Sequence, residues 1–202
     1  DRTRPSSDTA RPSQQRPLRR RRKTALPLKG RRPDAPAWIG RLDHPFHVEA
    51  QRVEELVKRL GTELPVEPLH HHLDLVKSIN EEVNLVSRAN VDAVLLQSLW
   101  ESLIPIPNAD WRRGPRLMDL GTGGGFPGIS VGLSLPDASM TLLDSRRAKT
   151  LSLERMTTEL GMKNARVVHD RAETHADRID DPYDSILVRA VSVLPEVAGW
   201  CE

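Results

Sequence analysis

Residues 117 to 128 read Leu117-Met118-Asp119-Leu120-Gly121-Thr122-Gly123-Gly124-Gly125-Phe126-Pro127-Gly128, and Leu142-Leu143-Asp144 follows further along the chain. An apolar run with an acid near its end reads as a buried strand, and the glycines after it let the backbone turn sharply and approach a ligand closely. Asp144 closes the next apolar run about one strand-helix-strand unit later, the place where an acid receives ribose hydroxyls. The pattern predicts a pocket for a nucleoside-bearing cofactor; the plain alternative is a glycine-rich turn with no ligand.

The spacing narrows the cofactor. Dinucleotide folds use G-x-G-x-x-G, whose third glycine lets the helix pack on its strand while the helix N-terminus faces a pyrophosphate. Here glycines stand at Gly121, Gly123 and Gly125, and Phe126 takes the third dinucleotide position. G-x-G-x-G after an acidic strand end resembles class I S-adenosylmethionine methyltransferases, whose cofactor carries no phosphate.

Outward from the loop, Thr141-Leu142-Leu143-Asp144-Ser145, Glu159-Leu160-Gly161, Arg171-Ala172-Glu173, Arg189-Ala190 and Trp200-Cys201 follow in order, and Asn80 and Asn84-Leu85 precede it. This ordered set resembles the RsmG/GidB family of bacterial 16S ribosomal RNA guanine-N7 methyltransferases over residues 46 to 202. The resemblance implies S-adenosylmethionine as cofactor, with contacts at Gly121, Gly123 and Phe126 in the loop, Ala172 and Glu173 after the third strand, and Arg189 after the fourth. Asp144 is the expected ribose partner, and Asp119 is expected to order the loop and the methionine end. It also implies 16S ribosomal RNA or the small subunit as partner, and a Rossmann-like α/β sheet. Where the family carries Arg-His before Asp-Ser-Leu, this chain has Gln97-Ser98 before Glu101-Ser102-Leu103; the basic cluster after Asp144 persists as Arg146, Arg147 and Lys149 with shifted spacing.

Charge divides the chain. Residues 1 to 33 hold twelve Lys and Arg against Asp1 and Asp8, a balance of +10 within a chain whose total is +2, so residues 34 to 202 carry −8. The tail also holds five prolines and little apolar periodicity, so it cannot bury enough surface to offset its ordering entropy. It is expected to be disordered, as an electrostatic arm for RNA phosphates, a passive extension or a transit peptide.

Three regions follow: a basic tail over 1–45, a helical segment over 46–110 and a methyltransferase core over 111–202. Val53, Leu56, Val57 and Leu60 repeat at helical spacing before Gly61; Leu69, Leu73, Val76, Ile79 and Val83 continue the period, and residues 94 to 103 form a third apolar helix. Strands are expected at 116–120, 140–144, 165–168 and 185–189, with helices at 127–134 and 147–160. Such alternation implies parallel strands joined by right-handed crossovers. Pro127 suits the first turn of its helix. A family sheet has seven strands, so the chain reads as a fragment whose last strands are absent.

His70-His71-His72 invites a metal reading, but consecutive helical residues point about 100° apart and do not converge on one ion. No metal is expected. Trp38, Trp100 and Trp111 read as packing residues. One cysteine, Cys201, rules out an internal disulfide, and no apolar run is long enough to span a membrane, so a cytoplasmic monomer is expected. Methyl transfer to guanine N7 abstracts no proton from the nucleophile, so no catalytic acid or base is named. Two other readings stay open: a non-catalytic RNA-binding or assembly protein with a vestigial pocket, and a nucleotide-dependent oxidoreductase.

Overall fold

The computed structural model describes residues 50–111, 114–179, 181–192 and 194–200. The basic tail, Trp38 and Cys201 lie outside these residues. Four parallel strands form the centre: β1 (Arg116–Leu120), β2 (Ser139–Asp144), β3 (Ala165–His169) and β4 (Ser185–Val188), in the order β3-β2-β1-β4. Each reads as a short apolar run with Val, Ile, Leu or Met at its core positions, as a strand covered on both faces requires. The order reverses beside β1, so the carboxyl ends of β1 and β4 diverge and open a crevice there.

Three helices lead into the sheet: α1 (Ala50–Leu60), α2 (Val66–Ile79) and α3 (Val91–Leu103), followed by the single turn α4 (Pro105–Asn108). The expected apolar stripe of α1 is buried, and Gly61, at φ +66°, turns the chain away from its end. α2 stops earlier than its period suggests. Asn80 caps it and its Oδ1 accepts the amides of Leu85 (2.8 Å) and Val86 (2.9 Å), so Val83 packs from a turn, not from the helix.

Between the strands run α5 (Gly128–Ser134), α6 (Arg147–Glu159) and α7 (Ala172–Ala176), and α8 (Leu194–Trp200) follows β4. Pro127 stands one residue before the first helical residue of α5, at φ −87°, so it caps that helix instead of opening its first turn. Side chains alternate across the sheet. Leu117, Met140 and Leu142 join a large core with α1, α2, α3, α5 and α6, whereas Met118, Leu120 and Leu143 pack on the other face with Ala172, Ile186 and Trp200. Trp100 lies fully inside the large core, and Trp111, half-buried, donates from Nε1 to the Ile106 carbonyl at 3.0 Å. The helical segment and the first sheet face thus share one interior. The segment is a brace for the sheet, joined to it by buried apolar area.

Candidate functional site

The glycine stretch leaves β1 at its carboxyl end and crosses over β2. The amides of Gly121 and Thr122 both donate to the Leu143 carbonyl, at 2.8 and 3.1 Å, and the amides of Gly125 and Phe126 return to the Thr122 carbonyl. Gly121 holds φ +71°, a left-handed conformation that side-chain-bearing residues rarely adopt. A Cβ there would also stand 2.6 Å from Val191 Cγ2 on the segment after β4. Glycine meets both demands without strain.

Two acids shape the loop. Asp119 is buried at the end of β1, and its Oδ2 accepts the Gly128 amide at 2.7 Å, which fixes the start of α5. Burial pushes its pKa up from 3.8 to about 6, against the pull of the neighbouring Thr122 hydroxyl, the Gly128 amide and the Arg189 guanidinium. Asp144 closes β2 and bridges two loops: Oδ2 accepts the Gly123 amide at 3.0 Å and Oδ1 accepts the Arg146 amide at 2.9 Å. A carboxylate offers about four lone-pair sites, so two bonds leave capacity on both oxygens.

His72 grips the loop from α2. Its Nε2 lies 3.1 Å from the Gly124 carbonyl, which can only accept, so that nitrogen carries the proton and Nδ1 receives the Ser130 hydroxyl at 3.4 Å. Burial lowers its pKa from 6.5 to about 4, and the ring, 4.6 Å from that of Phe126, is neutral. Gly125 is small for the same reason: a Cβ would meet His72 Nε2 at 2.9 Å and Ile129 Cδ1 at 2.6 Å. Val76, Leu85 and Val86 cover Gly124. One wall of the loop is therefore packed solid by the helical segment.

The other wall is not. Among the described residues three buried side-chain polar atoms make no hydrogen bond: Asp119 Oδ1, Thr122 Oγ1 and Arg189 Nε. Asp119 and Thr122 belong to the strand end and its loop, while Arg189 follows β4, with its guanidinium 5.8 Å from the Phe126 ring and its Nη1 3.4 Å from Glu101 Oε2. Buried polar groups without partners cost free energy, so a cluster of them with both donor and acceptor character marks where a polar ligand belongs.

The expected residues thus separate. Gly121, Gly123, Phe126, Asp119, Asp144 and Arg189 come together around the loop. Ala172 and Glu173 stand at the far strand, where Ala172 is half-buried beside Leu120 and Leu143, and Glu173 is exposed, 3.9 Å from Arg171. The Asp170 amide donates to the Asp144 carbonyl at 3.3 Å, which ties that strand end to the pocket rim. His72, Thr122 and Glu101 carry structural weight that the sequence reading missed. His72 was legible only as part of a histidine run; in space the run splits, with His70 beside Asp74 and His72 inside the core. Among the described residues no group of three or more His, Cys, Asp or Glu could hold a metal ion.

Residues 66–202 match the model of the GidB family, described as rRNA small subunit methyltransferase G. The ribosomal RNA small subunit methyltransferase G of Pseudomonas syringae pv. tomato is 36% identical over 154 residues, which is 75% of this chain and 71% of the relative. That of Halalkalibacterium halodurans is 31% identical over 153 residues, covering 75% and 64%. Among solved structures, the SAH-bound methyltransferase PaMTH1 of Podospora anserina is 18% identical with a TM-score of 0.49, over 73% of this chain and 60% of that one.

Proposed function

The chain belongs to the rRNA small subunit methyltransferase G family, and from that premise we propose that it transfers a methyl group from S-adenosylmethionine to N7 of a guanine in small-subunit ribosomal RNA. The observation that carries the cofactor site is the buried Asp119 carboxylate at the glycine loop, whose Oδ1 makes no hydrogen bond of good geometry although the Thr122 hydroxyl and the Arg189 guanidinium stand near it. The residues present fit the cofactor. Gly121 and Gly123 admit its backbone approach, Asp144 has acceptor capacity for ribose hydroxyls, and Asp119, Thr122 and Arg189 offer charge and hydrogen bonds to an amino acid end. Phe126 supplies an apolar wall. Ala172 and Glu173, at the end of β3, would line the side away from Arg189.

S-adenosylmethionine, when bound, supplies a methyl group on a positively charged sulfur. The protein's task is then positional. Guanine N7 has a free lone pair and no proton, so no side chain must remove one, and the absence of a nucleophile-base pair from the site residues suits this reaction. Charge moves from cofactor to base during transfer, and the buried Asp119 carboxylate is placed to balance a positive charge that would otherwise sit in a low-dielectric pocket. His72, by fixing the Gly124 carbonyl, keeps the loop from relaxing around the ligand.

The dinucleotide alternative fits less well, because Phe126, 2% exposed, fills the position where a third glycine would let the helix pack closely on its strand. We infer that the protein acts as a monomer in the cytoplasm, where its ribosomal substrate is made. No helix among the described residues is long and apolar enough to cross a membrane.

The test uses purified protein, labelled S-adenosylmethionine and small subunits prepared from cells lacking the corresponding methylase. Label recovered as N7-methylguanine is the expected result. Label in another nucleoside, or none, would overturn the reading. Asp144→Ala should weaken cofactor binding in calorimetry by about 1.5 to 3 kcal/mol, the range for a charged hydrogen bond.

A further inference from the structure

On the second face of the sheet, the apolar cluster of Met118, Leu120 and Leu143 gives way, toward the amino ends of the strands, to linked polar side chains. Arg166 on β3 donates from Nε to Thr141 Oγ1 on β2 at 2.9 Å and from Nη2 to the Tyr183 hydroxyl at 3.1 Å. Tyr183 itself is firmly set. Its neighbour Asp184 donates its amide to the Arg116 carbonyl at 2.8 Å and accepts the Arg116 amide on Oδ2 at 2.9 Å, while the Arg116 guanidinium lies 5.6 Å from the Tyr183 ring centre.

The partner of this fixed hydroxyl is His175. Its Nε2 stands 2.9 Å from the Tyr183 oxygen, and the two rings lie 6.1 Å apart at 29°. Burial, and after it the Arg166 charge, lowers the His175 pKa from 6.5, so the ring is neutral at pH 7. His175 belongs to α7, whose five residues are too few to hold a helix by their own bonds. Its position must come from outside. Just before α7, the Asp170 amide donates to the Asp144 carbonyl at 3.3 Å, and near its end His175 meets Tyr183. Ala172 and Glu173 lie between these two ties.

We propose that Tyr183 and His175 are positioning residues for the adenosine end of the cofactor. Their hydrogen bond sets α7, and with it Ala172 and Glu173, against the side of the pocket away from Arg189. The proposal rests on the cofactor reading above and adds the device that holds one wall of that pocket in place. Neither side chain touches the cofactor; both act through α7. A short helix that drifts costs affinity without altering the reacting groups, because the methyl group and the glycine loop lie on the other side.

The experiment uses the full chain and two probes: S-adenosylhomocysteine, and methylthioadenosine, which keeps the adenosine end and lacks the amino acid end. Tyr183→Phe removes the hydroxyl and keeps the ring. It should weaken both probes equally, by about fivefold, and raise KM for S-adenosylmethionine by about the same factor while kcat stays within about twofold. His175→Ala should weaken both probes too, and adding Tyr183→Phe to it should cost little more, since one bond is lost only once. Val53→Ala, a buried change on α1, serves as the stability control: it should lower the melting temperature and leave both affinities unchanged. Unchanged affinities in Tyr183→Phe, a loss for S-adenosylhomocysteine alone, an equal loss in Val53→Ala, or additive losses in the double variant would each overturn the positioning role. A wild type that binds neither probe would instead overturn the cofactor reading itself.

Discussion

The two walls of the glycine loop are built on opposite principles. Toward the helical segment the loop is held and covered: His72 donates to Gly124, accepts from Ser130 and lies tilted against Phe126, while Val76, Leu85 and Val86 close the remaining space. Toward β4 the wall is under-satisfied, with Asp119 Oδ1, Thr122 Oγ1 and Arg189 Nε unpartnered and Val188 and Val191 each 36% exposed. A fold tolerates unsatisfied buried groups where a ligand completes them. The first wall therefore belongs to stability and the second to binding, and mutations on the two sides should read out in different measurements.

The largest effect should come from the floor between them. A Cβ on Gly128 would lie 2.4 Å from Leu142 Cδ2 and 2.6 Å from Asp119 Oδ2, both deep in the sheet, where neighbours cannot move aside. Gly128→Ala should lower unfolding free energy by about 3 kcal/mol, the upper part of the range for overpacking, in denaturant titration. Gly121→Ala meets only the exposed Val191, so its stability loss should stay near the ~1 to 2 kcal/mol of a strained left-handed residue. Its cofactor affinity should suffer more than its stability. Similar stability losses in the two variants would erase the distinction between floor and mouth.

Much of this arrangement was legible before any coordinates. The sequence places the strands within a residue or so, because each is a short run of Val, Ile, Leu and Met bounded by turn residues. Asp119 and Asp144 stand out in the sequence by their places at strand ends around the glycines, and in the structure both accept loop amides. What escaped was long-range. His72 reaches Gly124 across 52 residues, and Glu101 reaches Arg189 across 88, so neither contact leaves a local pattern. The single turns α4 and α7 escaped too, being too short for a period to show. The sequence predicts Pro127 in the first turn of its helix, where its missing amide costs nothing, but Gly128 opens that helix and its amide is the one Asp119 binds.

The second prediction uses a pair of buried titrating groups, one from each wall. Asp119 titrates near 6 in the fold against 3.8 unfolded, so between those values the native state binds more protons and stability rises as pH falls. His72 titrates near 4 against 6.5, so over nearly the same window the unfolded state binds more protons and stability falls as pH falls. The two contributions oppose each other. At 1.36 kcal/mol per pKa unit each amounts to about 3 kcal/mol, so in the wild type they largely cancel between about pH 4 and 6.5. Asp119→Asn should expose the histidine and steepen the loss of stability on acidification. His72→Phe should expose the aspartate, making the protein less stable at pH 7 but relatively more stable near pH 4.5. Urea titrations of the three proteins across that range check both signs. Parallel pH profiles for both variants and the wild type would mean that the two side chains do not titrate as buried groups.

The smallest effect should come from an ion pair that links the walls. Glu101 on α3 and Arg189 after β4 are 3.4 Å apart, but their side chains are 42% and 33% exposed, and pairs of that kind contribute about 0 to 1 kcal/mol because water screens them and ordering two long side chains costs entropy. Arg189 has stronger reasons to stay where it is. Its guanidinium faces the Phe126 ring at 5.8 Å, and its charge pulls down the pKa of the buried Asp119. Glu101→Gln removes only the outer partner. It should change stability by less than about 0.5 kcal/mol and cofactor affinity by less than about threefold, with the difference vanishing in high salt. Arg189→Met, by contrast, takes the positive charge from beside Asp119 and should raise that carboxyl further, shifting any pH dependence of cofactor binding to higher pH. Calorimetric affinities measured for both variants at pH 6 and 8 separate the two cases. A tenfold loss in Glu101→Gln would mean that α3 contributes to the ligand wall as well as to the brace, and the division between the two sides would have to be redrawn through that helix.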